Sequence, residues 1–140
     1  MYNTSCMRHT IAIIVYFFTI SFSSASISFY QEALQSFENN KFELSIKYLE
    51  KNIVFNPKSS ESYILLGKSY SALENSDKAE KYFKIAYTLI PENIELNFLL
   101  GKVSYNLGYI EEYAEYLSNL EILCTRKCDE IDRLKKLSTE

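Results

Sequence analysis

Glycine and proline are nearly missing from this chain, three and two among 140 residues. So few breakers leave long uninterrupted segments joined by short connections, the composition of a mostly helical protein. Like-charge runs are missing too: lysines and acids are interspersed and the formal net charge is only -3. That pattern offers no electrostatic footprint to nucleic acid or to an anionic membrane surface. There is one histidine, His9, and the three glycines after the first 25 residues (Gly67, Gly101, Gly108) form no phosphate-cradling cluster. No serine or cysteine nucleophile is matched to a histidine base, and the acids are scattered singly. No enzyme activity, cofactor or metal is expected. Long apolar runs are also absent, since the longest, Ile11 to Phe22, has 12 residues where a hydrocarbon core needs about 20.

What is present fits one domain: 47% apolar and 24% charged residues in a length with room for a single core. The first 25 residues differ from the rest. Arg8 and His9 stand in an acid-free start, the apolar run follows, and "SSAS" supplies small residues at Ser23 and Ala25. This is the plan of a secretory signal peptide cleaved after Ala25; an uncleaved membrane-attached segment, or a first helix of the fold, is the alternative reading. Export leaves a chain with no histidine and two cysteines, Cys124 and Cys128.

The phrase "LLGK" occurs twice, at Leu65–Lys68 and Leu99–Lys102, 34 residues apart. A fixed interval of that size marks a stacked-repeat architecture. Within 60–93, Tyr63, Leu66, Gly67 and Tyr70 share one face of a first helix, and Ala79, Phe83 and Ala86 one face of a second. Gly67 and Ala79 are small enough to let the helices approach, "NSD" at 75–77 supplies a break and a cap, and Pro91 stops the second helix. On these columns the segment resembles a tetratricopeptide repeat. Going back one period, Pro57, Phe29, Ala33 and Leu49 match and Ser45 replaces Ala79. Going forward, Leu100, Gly101, Leu107 and Gly108 match, but Tyr113 takes a small-residue column, Ala114 falls one place late and Thr125 replaces proline. A local bulge or an altered approach of the third pair's helices is expected there.

The expected architecture is all-α: a leader over 1–25, three helical pairs over 26–59, 60–93 and 94–125, and a capping helix over 126–140. Helices are placed near 27–39, 42–55, 60–73, 77–89, 93–106, 110–123 and 127–138. In the last, Ile131, Leu134 and Leu137 form one stripe among charges, which suits a helix covering an exposed end; a frayed tail is the alternative. Cys124 and Cys128, four apart across the turn before it, can reach the roughly 4.4 to 6.8 Å that a disulfide needs between Cα atoms. Two ordinary thiols are the other reading, and their spacing is not the C-x-x-C of thiol oxidoreductases. The stretch "EILCTRKCDEIDRL" resembles the end of small exported bacterial tetratricopeptide proteins at Leu123, Cys124, Cys128, Asp129 and Leu134. That resemblance implies a periplasmic repeat protein without an assigned activity.

The family resemblance further implies a concave groove lined by the first helix of each pair. Its columns fall on Tyr30, Leu34 and Phe37, then Ile64 and Lys68, then Phe98, Lys102 and Tyr105. The family's carboxylate clamp is not reproduced, because Tyr30, Leu34 and Glu95 occupy clamp positions. An apolar groove flanked by Lys68 and Lys102 suits an extended or helical peptide with apolar side chains and some negative charge. The alternative is that these residues pack beneath a neighbouring helix or the cap. Phe98→Glu separates the two, since a groove residue leaves stability unchanged and a core residue does not. The expected function is a non-enzymatic protein-binding module of the bacterial envelope. A self-associating structural subunit is the second reading, and a thiol redox protein using Cys124 and Cys128 a lesser third.

Overall fold

The computed structural model describes residues 29–126 and 128–139, and its secondary structure there is helical, with short turns between. Helix α1 covers 29–38. After it come α2 (Phe42–Phe55), α3 (Ser60–Ala72), α4 (Ser76–Leu89), α5 (Ile94–Leu107), α6 (Ile110–Leu123) and α7 (Asp129–Leu137). Every expected helix is found, with its described ends within about two residues of the expectation. The proposed leader and cleavage site lie outside the described residues. Among the described residues no helix is long and apolar enough to cross a membrane.

The repeat is written into the turns as well as the helices. Backbone φ is positive at Asn40 (57°), Glu74 (58°) and Gly108 (79°), which are spaced by 34. Each sits just after the first helix of a pair, and the amide after it reaches back to close the turn: Lys41 to the Ser36 carbonyl, Asn75 to Tyr70, Tyr109 to Ser104, at 2.8, 2.9 and 2.8 Å. This left-handed closure satisfies carbonyls that a helix end leaves open. Side chains do the same for amides at helix starts. Ser59 accepts from the Ser62 amide, Asn75 from Lys78 and Asn93 from Leu96, at 3.2, 3.1 and 2.8 Å.

Packing follows the small columns. Ala79, Phe83 and Ala86 are fully buried, and a Cβ built on Gly67 would lie 2.3 Å from the Phe83 ring. The glycine is therefore what allows α3 and α4 to close on each other. Leu66 and Leu100 are fully buried in one continuous cluster that runs from Ala33 in α1 to Tyr116 in α6. Burial of such side chains contributes roughly 1.5–3 kcal/mol each. Some polar residues that enter this interior find partners, while the buried Ser104 hydroxyl has none among the described residues. Asn52 donates to Ser62 Oγ at 2.8 Å, and Ser69 donates to the Leu65 carbonyl at 2.8 Å.

Of the two outcomes expected around Tyr113, the bulge is not formed, because α6 runs unbroken through Tyr113 and Ala114. The bulky ring is accommodated by different packing. Its hydroxyl donates to the Leu134 carbonyl of α7 at 3.1 Å, and its ring lies 5.4 Å from Tyr105. Helix α7 packs on both α5 and α6 and buries Leu134 completely, so the frayed-tail reading is set aside. Leu134 stands one period after Leu100 and two after Leu66. The cap is thus the first helix of a fourth unit whose second helix does not follow within the described residues.

Candidate functional site

The first helices of the pairs present their inner face as a shallow groove of about 250 Å³. Phe37, Leu99 and Val103 form its apolar floor, Lys68 and Lys102 stand over it, and Ser71, Ser76 and Asn106 supply polar edges. Phe37 comes from α1, Lys68 and Ser71 from α3, and Leu99, Lys102, Val103 and Asn106 from α5, so the 34-residue step aligns them. Three residues read from the sequence as groove positions, Phe37, Lys68 and Lys102, are brought together here.

The two lysines differ electrically. Lys68 is half-buried and ion-paired with Glu95 of the next first helix. Lys102 is exposed, and among the described residues no partner is formed for it. The groove therefore carries one neutralised cation and one available cation. Tyr30 is not among the lining residues; burial raises its pKa above its ordinary value, and Glu61 and Glu95 push it further in the same direction. Tyr30 thus lies within electrostatic reach of two carboxylates that begin α3 and α5.

Leu34 and Ile64 are half-buried and pack against the main core, which makes them supports of the groove more than contact points. Phe98 and Tyr105 require a correction. Phe98 is only 8% exposed, clusters with Tyr113, Leu120 and Leu134, and has the Arg133 guanidinium 4.5 Å above its ring. Tyr105 packs against the same cluster. Phe98 faces α7, which covers that side of α5, and Tyr105 stacks on Tyr113 of α6; neither lines the groove. The alternative of burial beneath the cap holds for Phe98.

The groove residues that sequence reasoning passed over are Leu99, Val103, Ser71, Ser76 and Asn106. Ser71 falls in the column of Phe37 and Tyr105, already assigned to the groove, and is small and polar; Asn106 lies one residue past that column. The sequence pattern assigns no groove role to Leu99 or Val103, and the fold places both in the lining. Cys124 and Cys128 form a disulfide, with Cα atoms 6.0 Å apart. Among the described residues no group of three or more His, Cys, Asp or Glu side chains is placed to hold a metal ion.

Helix pairs stacked at a 34-residue step, with small residues at the crossing points and an inner groove, define an α-solenoid of the tetratricopeptide type. This chain has that fold. The second tetratricopeptide domain of human RPAP3, solved in complex with the HSP70 peptide SGPTIEEVD, superposes with a TM-score of 0.76 at 17% identity, over 85% of this chain and 99% of that one. The Yersinia enterocolitica type III secretion chaperone SycD, in complex with a peptide of the translocator YopD, gives 0.70 at 17% identity over 80% and 86%. The tetratricopeptide domain of Sgt2 from Aspergillus fumigatus gives 0.73 at 14% identity over 83% and 78%. No protein-family model matches the sequence, and no curated protein matches it. The likeness is therefore one of fold.

Proposed function

We propose that this chain is a protein-interaction module that takes a peptide segment, bearing apolar side chains and at least one acidic one, in its inner groove. The observation that carries the reading is the contrast between the two lysines: Lys68 is neutralised by Glu95 while Lys102 stands unpaired above an apolar floor. An acidic side chain of the ligand pairs with Lys102 as its apolar neighbour covers Leu99 and Phe37. Two similar folds, RPAP3 and SycD, were solved with peptides bound, which supports the class of function. The carboxylate clamp implied by the family resemblance is not part of the proposal, since Tyr30, Leu34 and Glu95 offer no cation to a terminal carboxylate at the clamp positions.

The setting belongs to the same proposal and rests on the sequence alone. A leader-like start and a C-terminal cysteine pair support export to the bacterial periplasm, where the partner is another envelope protein. Cross-linking the full chain in its own cells, followed by mass spectrometry, identifies the partner. The Lys102→Glu chain is expected to lose the cross-link while keeping its thermal midpoint within about 2 °C, as an exposed substitution should. Undiminished cross-linking by Lys102→Glu would remove the groove as the binding surface. Intact-mass measurement of the purified chain tests export, with a mature chain beginning at Ser26 expected.

A further inference from the structure

The interior holds two hydrophobic clusters and not one. The larger spans α1 to α6, while the smaller consists of Phe98, Tyr113, Leu120 and Leu134, with Ile131 and Leu137 packed beside it. Every apolar anchor of α7 belongs to the smaller cluster. Its other ties include the Tyr113 hydroxyl on the Leu134 carbonyl, Arg133 over Phe98, and an exposed ion pair between Lys135 and Glu121 at 2.6 Å. A helix of nine residues does not persist alone in water, so α7 is ordered only while docked. The docking seat is preformed. Gly101 leaves the space that Leu134 fills, since a Cβ there would lie 2.7 Å from Leu134 Cδ2.

The chain also carries a covalent control at the hinge. The Cys124–Cys128 disulfide closes the short turn between the end of α6 and the start of α7, and both cysteines are only half-buried. We propose that the α5–α6 face beneath α7 is a second docking surface, for an amphipathic helix, and that this disulfide decides whether α7 occupies it. The ligand class is given by the occupant: aliphatic residues at the spacing of Ile131, Leu134 and Leu137, with an arginine at the Arg133 place to cover Phe98. The inference is independent of the groove, which lies on the other side of α5.

The switch is a thiol–disulfide exchange with a dithiol. One thiolate of the dithiol attacks Sγ of either cysteine, the Sγ–Sγ bond breaks, and the freed cysteine sulfur takes a proton. The second thiolate of the reductant then attacks the reductant's own sulfur in the mixed disulfide, that S–S bond breaks, and the remaining cysteine sulfur leaves and takes a proton. The reductant leaves as a disulfide, and Cys124 and Cys128 become thiols after gaining two electrons and two protons in all. Opening so short a loop shifts the docking equilibrium of α7 by about thirtyfold on loop-entropy grounds.

Hydrogen exchange read by mass spectrometry on the full chain, before and after dithiothreitol, tests this. Reduction is expected to raise exchange in α7 by about thirtyfold while α3 and α4 keep their protection. The Cys124→Ser/Cys128→Ser chain should behave as the reduced chain with or without dithiothreitol. A synthetic peptide of residues 129–139 at millimolar concentration should shift the Gly101 amide resonance of the reduced chain and leave the oxidised chain unchanged. Unchanged α7 exchange on reduction, or loss of protection in α3 and α4 together with α7, overturns the switch. A peptide that shifts neither form, or both alike, overturns the docking surface.

Discussion

Individual positions carry strain and fit that can be separated by substitution. Glu74 holds φ at 58° where the equivalent turn residues are Asn40 and Gly108, and only a side chain with a Cβ suffers there. Glu74→Gly relieves that cost and adds some unfolded-state entropy, for an expected net gain of about 0.5–1 kcal/mol by urea denaturation. Gly67 and Gly101 look alike in the sequence but differ in what they face. An added Cβ meets the rigid, fully buried Phe83 ring at Gly67 and the flexible end of Leu134 at Gly101. Gly67→Ala is therefore expected to destabilise by about 1–2 kcal/mol after its gain in helix propensity, and Gly101→Ala by clearly less. Phe98 now belongs with the core residues. Phe98→Ala should cost about 3 kcal/mol and Phe98→Glu more, and an unchanged melting temperature in either would return this ring to the groove.

At the scale of elements, the interface between α4 and α6 is held by groups that favour their protonated forms. Lys84 reaches Glu80 and Glu112, each at 3.0 Å; burial works against its charge, but hydrogen bonds to the two carboxylates prevail and raise its pKa. Burial chiefly, with Glu112, Glu115 and Tyr87 adding to it against the opposing Lys84, lifts Tyr116 from 10.0 to about 12. In both cases the folded chain holds the proton more tightly than the unfolded chain does. Their contribution is thus complete below about pH 10 and is lost as pH rises through the folded values. Melting temperatures measured at pH 8, 10 and 11.5 should fall most over the last step, and Tyr116→Phe should make that fall smaller. Elements were also what the sequence showed best. Six of the seven helices follow from the eight matched columns and their 34-residue shifts, since period and breakers are local properties. The seventh was seen as a cap but not as a repeat unit, although Glu61, Glu95 and Asp129 fall in one column and Lys68, Lys102 and Lys136 in another. Its nine residues end before the second-helix columns that would reveal the repeat. The misplacement of Phe98 follows from this, because its ring is covered once α7 stacks on α5.

For the molecule as a whole, the same column offers a graded measure of how the stack shares its stability. Leu66, Leu100 and Leu134 are each fully buried and stand one period apart, so the same truncation can be made at three depths. Leu66 belongs to α3, which packs on α2 and α4, and Leu100 to α5, which packs on α4 and α6, and both lie inside the continuous larger cluster. Leu134 belongs to the smaller cluster under the cap. In a stacked chain each unit is stabilised mainly by its neighbours, and an end unit has one neighbour where an interior unit has two. Leu66→Ala and Leu100→Ala are therefore expected to lower global stability by about 3–5 kcal/mol with the unfolding still cooperative. Leu134→Ala should instead release α7 alone: the urea slope falls, since less surface remains to be exposed, while the midpoint for α3 and α4 moves little. Equal losses for all three leucines would mean that the cap and the solenoid fold as one unit, and the smaller cluster would then have no independent stability to switch.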